Sequence, residues 1–92
     1  MLEVLEYITV PVDGSPYQPG QRVKVVDAID INPPFTDVSE FIGLFGIVDY
    51  LEYSCGCGQH FPDDPMIGVS FPDGRQVEFW AEELAPVLVV VA

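Results

Sequence analysis

Ninety-two residues and 10.1 kDa fit a single small domain spanning 1–92, because two independent cores would leave each half below a viable size. With 49% hydrophobic and only 20% charged residues, the composition is that of a chain that builds a core and argues against disorder. Fifteen Asp and Glu against three Lys and Arg give a net charge of −12, which argues against binding to nucleic acid or to an anionic membrane surface, since both need clustered cations.

The first residues, Met1-Leu2-Glu3-Val4-Leu5-Glu6, are acidic and alternating where a secretory leader would start basic and then run apolar, so a cytoplasmic location is expected. No apolar run approaches the roughly 18 residues of a membrane-spanning helix. Residues 2–10 read as a strand, closed by Pro11. Asp13-Gly14-Ser15-Pro16-Tyr17-Gln18-Pro19-Gly20 is turn chemistry throughout, and residues 1–18 form an N-terminal strand and turn region ahead of a core at 19–91. Arg22-Val23-Lys24-Val25-Val26 alternates valine with cations and predicts a second strand. The double proline Pro33-Pro34 makes residues 30–40 a long loop. A bent strand follows over residues 45–53, with Gly43 and Gly46 as signs of a bulge or bend.

A second loop covers residues 54–65. Beyond it, two alternating runs around Pro72-Asp73-Gly74-Arg75 form the clearest hairpin in the chain, with Ile67, Val69 and Phe71 on one face with Val77 and Phe79. Ala81-Glu82-Glu83-Leu84 is too short for an α-helix and suits one 3₁₀ turn, before an apolar strand at 87–91. Nine prolines and eight glycines leave no window of helical periodicity with proper ends, so the fold is expected to be all-β with five to six short, mostly antiparallel strands.

The order Pro19-Gly20-x-x-Val23-x-Val25, long loop, Gly43-x-x-Gly46-x-Val48, hairpin at Asp73-Gly74, then Glu82-Glu83-Leu84-x-x-Val87 resembles small SH3-like barrels of the KOW type. The resemblance covers residues 19–90 and implies a barrel fold. It also implies RNA or protein contact, of which the missing basic loop residues favour protein. Independently, five or six short strands suit a barrel that closes its own edges better than a large sandwich. The expected core is Val23, Val25, Ile47, Leu51, Ile67, Val69, Phe71, Val77, Phe79, Leu84, Val87 and Val89. Residues 2–10 are expected to pair with the C-terminal strand or across the two-fold axis of a homodimer.

Two features bear on function. Cys55-Gly56-Cys57-Gly58-Gln59-His60, with Asp63 and Asp64, carries the ligand types of a zinc site, although one residue between the thiols is tighter than the usual spacing. Cys55, Cys57 and His60 are therefore the candidate metal ligands, a redox pair is the other reactive reading, and a packed or idle glycine-rich loop with no cofactor is the plain one. Tyr50, Tyr53, Phe61 and Trp80 fall near strand ends or loops and are the candidate partner-binding residues, since aromatic side chains anchor protein interfaces; burial of Trp80 is the structural alternative. No motif combines a nucleophile, a base and a pocket, so no enzyme activity is expected. The function expected is an acidic protein-interaction module for a basic partner, with a metal- or redox-responsive protein and a nucleic-acid mimic as alternatives.

Overall fold

The computed structural model describes residues 7–28, 38–53 and 60–88. They form one antiparallel sheet of six strands: β1 (Tyr7–Ile8), β2 (Arg22–Val25), β3 (Phe45–Glu52), β4 (Met66–Ser70), β5 (Gln76–Phe79) and β6 (Leu84–Pro86), with 3₁₀ turns at Ser39–Phe41 and Ala81–Glu83 and no α-helix among the described residues. The sheet runs β5-β4-β3-β2-β6. Strand β3 is its hub. One edge pairs with β4 along most of its length, while the other is shared, β2 taking Phe45, Gly46 and Ile47 and β1 taking Leu51 and Glu52.

The hairpin β4–β5 has the expected register, with Ile67 opposite Phe79 and Val69 opposite Val77. Its three-residue loop closes with the Phe71 amide donating to the Arg75 carbonyl at 2.9 Å, and Gly74 takes the positive φ of 92° that such a loop requires. The 3₁₀ turn at Ala81–Glu83 also stands where the sequence places it. Its buried Glu83 accepts a hydrogen bond from the Trp80 amide at 2.8 Å, which caps the turn.

Val23, Val25, Leu51, Ile67, Val69, Phe71, Phe79 and Leu84 lie in the core as expected. Val12, Tyr17, Val38, Phe41 and Val48 join them. Tyr17 is carried inward by the segment read as pure turn. The Gln18 side chain pairs with both the amide and the carbonyl of Val12 (2.8 and 2.6 Å), and the buried Tyr17 hydroxyl donates to the Leu84 carbonyl at 3.0 Å. Phe41, Phe71 and Phe79 form an aromatic triangle, with Phe41 stacked on Phe71 at 5.0 Å and edge-on to Phe79 at 6.0 Å.

Five expectations need correction. Ile47 is 44% exposed, because the β3–β4 register slips between Val48 and Tyr50. Val48 faces Val69 and Tyr50 faces Gly68, so Asp49 is an extra residue that inverts the alternation; Gly46 and Val48 point inward before the bulge and Leu51 after it. The bulge falls at Asp49 and not at Gly43 or Gly46. Within the chain, Tyr7 and Ile8 pair with β3 rather than with the C-terminal strand, and residues 1–6 lie outside the described residues. The last described strand, β6, stands at Leu84–Pro86, ahead of the strand expected at 87–91, of which residues 89–91 lie outside the described residues; β6 pairs with β2, where the missing Pro86 donor costs no ladder bond. Val77 and Val87 are half-buried, and Val89 lies outside the described residues.

Candidate functional site

The bulge at Asp49 decides what the outward face of β3 presents. Before it, Phe45 and Ile47 point away from the core, 56% and 44% exposed, and with Ile42 and Leu44 they make four exposed large hydrophobic residues within 42–47. The polypeptide reaches this stretch through a 3₁₀ turn and Gly43, whose amide donates to the Val25 carbonyl at 2.8 Å while the Leu44 carbonyl accepts from Val25 at 3.0 Å. Those bonds hold Leu44 and Phe45 against the end of β2. Gly46 lies between Phe45 and Ile47 and faces inward, where a Cβ would come within 2.5 Å of a Val69 methyl and 2.7 Å of the Ser70 carbonyl oxygen. Glycine lets β3 approach the end of β4 closely, so Phe71 and Pro72 rise beside Phe45.

Two hollows flank this ridge. One, of about 380 Å³, lies between Arg22, Phe45, Ile47, Pro72 and Val87. The other, of about 370 Å³, lies between Leu44, Phe45, Pro72, Asp73 and Arg75. Both volumes fall in the lower part of the range of about 300–1,000 Å³ seen for ligand clefts. Phe45 and Pro72 are common to the two, so they read as one groove with a central ridge.

The chain's three Lys and Arg residues all stand around this groove. Register places Arg22 beside Ile47 and Lys24 beside Phe45 across the β2–β3 ladder, and the Lys24 ammonium lies 5.5 Å from the Phe45 ring centre, within cation–π reach. Arg75 covers the Phe41 ring at 4.5 Å and pairs with Asp73 at 2.7 Å and Glu40 at 3.5 Å. Its hydrogen bonds, the backbone one foremost, hold the exposed Asp73 carboxyl below its ordinary pKa. Among the described residues, neither Arg22 nor Lys24 makes an ion pair.

The aromatic residues expected to bind a partner do not form one surface. Tyr53 and Phe61 are brought together, edge to face at 4.9 Å, with the Tyr53 hydroxyl donating to the Pro62 carbonyl at 2.9 Å. Tyr53 packs on the core side while Phe61 is exposed. Tyr50, on the outward side of β3, is engaged elsewhere: its ring lies over Gly68 and edge-on to Tyr7 at 4.5 Å, and its hydroxyl donates to Glu78 at 2.7 Å. Burial first, and the Glu78 carboxylate second, push its phenol well above the ordinary tyrosine pKa. Trp80 is half-buried at the start of the last 3₁₀ turn.

Of the candidate metal ligands, Cys55 and Cys57 lie outside the described residues; His60 and Asp63 are exposed, Asp64 is half-buried, and the Asp64 amide donates to the His60 carbonyl in a turn. Compared with known proteins, the chain matches no family, no curated protein and no solved structure.

Sequence reading missed Phe45, Ile47, Pro72 and the gathering of Arg22, Lys24 and Arg75. The available signal was Gly46 between two large apolar residues. A glycine that faces inward to let strands meet forces its neighbours outward.

Proposed function

We propose that the chain is a non-enzymatic protein-interaction module on a small SH3-like barrel. The fold part of this reading is supported by the strand order β5-β4-β3-β2-β6, with a 3₁₀ turn delivering β6 back beside β2, since the motif pieces that resemble such barrels fall on β2, β3, the β4–β5 hairpin and that last turn in succession. The interaction part is carried by one observation: the ridge of Phe45 and Ile47 is left outside a domain that buries Phe41, Phe71 and Phe79 completely or nearly so. A small domain has few large side chains to spare, and covering a phenylalanine is worth roughly 1.5–3 kcal/mol, so an uncovered apolar ridge with adjoining hollows is best explained by a partner that covers it.

The partner is a protein. The net charge of −12 speeds its encounter if its surface is basic overall, and that rate falls as salt rises. A benzophenone side chain incorporated at position 45, and separately at the exposed position 82, tests the reading in the native host. A specific cross-linked protein obtained from 45 and not from 82 supports it; cross-linking no stronger from 45 than from 82 overturns it.

A further inference from the structure

The proposed interaction surface also carries information about what it holds. In a chain with fifteen carboxylates, the larger hollow has Arg22 and no Asp or Glu among its described lining residues. Lys24 stands beside it over Phe45, and both cations lack an ion-pair partner among the described residues. Alternation along β2 puts Arg22 and Lys24 on the same outward face, two residues and therefore about 7 Å apart along the strand. Apolar ridge and paired cations thus lie side by side, row by row: Ile47 with Arg22, then Phe45 with Lys24.

We infer that the groove binds a short segment that joins an apolar side chain to one or two carboxylates, the apolar group entering the hollow between Phe45 and Pro72 and the carboxylates meeting Arg22 and Lys24. This rests on the interaction-module reading and specifies its ligand. The net charge of the whole chain cannot produce the same preference, because a −12 protein attracts cationic segments and repels anionic ones. The two fields act at different ranges. At physiological ionic strength, charges beyond about 8 Å are largely screened, so encounter reports the acidic surface as a whole while capture reports the local pair of cations. Arg22 adds direction, since a guanidinium presents a planar fork that matches a carboxylate with two parallel hydrogen bonds.

The test is selection of displayed random dodecapeptides on the immobilised protein, followed by binding of the selected peptides in solution to the wild type and to two variants. Arg22→Glu/Lys24→Glu reverses the local charge and Phe45→Ser removes the ridge; all these positions are exposed, and thermal melts establish that each variant is folded. The expected result is a consensus of Leu, Phe, Ile or Met next to Asp or Glu. Its affinity drops about tenfold or more in either variant, the scale of losing charge-assisted hydrogen bonds or a buried apolar anchor. Reselection on the charge-reversed protein then yields Lys or Arg in place of the acids. A basic consensus on the wild type, or an acidic one indifferent to both variants, overturns the inference while leaving the interaction-module reading standing. Absence of any enriched peptide overturns the inference too, whereas the reading beneath it is tested separately, by cross-linking from position 45.

Discussion

The two halves of β3 show how one inserted residue divides a strand into a packed surface and an open one. Phe45 and Ile47 before the bulge, and Tyr50 after it, all face outward. After the bulge the face is closed: Tyr7 covers Tyr50, Glu78 takes its hydroxyl, the neighbouring Glu52 is buried, and Met66 opposite Glu52 is buried although it lies outside the main core cluster. Before the bulge nothing of the kind is built among the described residues. The strand facing Phe45 and Ile47 offers Lys24 and Arg22, and the ridge stays open. Covering the outer face is therefore local to one half of the strand. Among the described residues β1 pairs with Leu51 and Glu52, and its Tyr7 supplies the cover there.

Removing Asp49 together with Tyr50 is the harshest way to break this contrast. Loss of Asp49 alone leaves Val48, Tyr50 and Leu51 alternating regularly, whereas loss of both Asp49 and Tyr50 makes Val48 and Leu51 neighbours, which alternation must turn to opposite faces. The double deletion is expected to cost more than about 3 kcal/mol, the scale of removing a buried leucine from a packed core, and deletion of Asp49 alone much less. Urea denaturation measures it. A double-deletion variant within about 1 kcal/mol of the wild type, or a single deletion as costly as the double, would show that the bulge does not set the phase. Replacing Gly46 by Val comes next. The new side chain meets the Ser70 backbone as well as Val69, so the β3–β4 approach must open, with an expected loss of roughly 1–3 kcal/mol. Gly20 has open space around it and is the natural control only for size, since its φ of 90° strains any other residue.

The same contrast explains which parts of the molecule could be read from the amino acids. The β4–β5 hairpin was legible because its strands alternate without interruption around an Asp-Gly turn whose chemistry is local. The 3₁₀ turn at Ala81–Glu83 was legible because Pro86 forbids anything longer. Strand β3 was legible as a strand, yet its faces were not: Ile47 and Leu51 have the same parity, and only the tertiary register reveals that one residue between them does not count. Tyr17 and Phe41 were hidden for another reason. Tyr17 belongs to a segment of turn composition and Phe41 falls between the expected loop at 30–40 and the expected strand at 45–53; both enter the core because side chain-to-backbone and backbone hydrogen bonds order those segments, as Gln18 does for Val12. The groove inherits the first difficulty, being made of the residues that the bulge turns outward, together with cations gathered from β2 and from the hairpin loop.

Tyr50→Phe sharpens the closed half. It removes the hydrogen bond to Glu78 and leaves the ring over Gly68, so an expected loss of about 1 kcal/mol at neutral pH isolates the polar part of the cover. The pH dependence has a definite sign. Because the folded phenol titrates above the ordinary tyrosine value, the stability it contributes is complete below about pH 10, where the unfolded phenol is still protonated, and is lost as pH rises beyond that. Denaturation midpoints of the wild type should therefore fall above about pH 10 more steeply than those of Tyr50→Phe. Parallel curves would show that the phenol is not protected by the fold.

The smallest expected effect on stability comes from the open half, and it is the most informative for function. Phe45→Ser and Ile47→Thr act on side chains that are half in water, on a face that no described element covers, so each should shift stability by no more than about 0.5–1 kcal/mol. Part of the Phe45 effect is the loss of its contact with Lys24, worth about 0.5–1 kcal/mol at an exposed site. Leu51→Ala, later on the same strand but inward, should cost about 2–5 kcal/mol by cavity formation. Thermal melts of the three variants make the comparison directly. If Phe45→Ser were as costly as Leu51→Ala, the ridge would be structural, held by a contact that its exposure conceals, and the case for a docking surface would fall with it. If its melt stays close to that of the wild type while cross-linking or peptide capture is lost, the residue is kept outward by the fold and used by a partner.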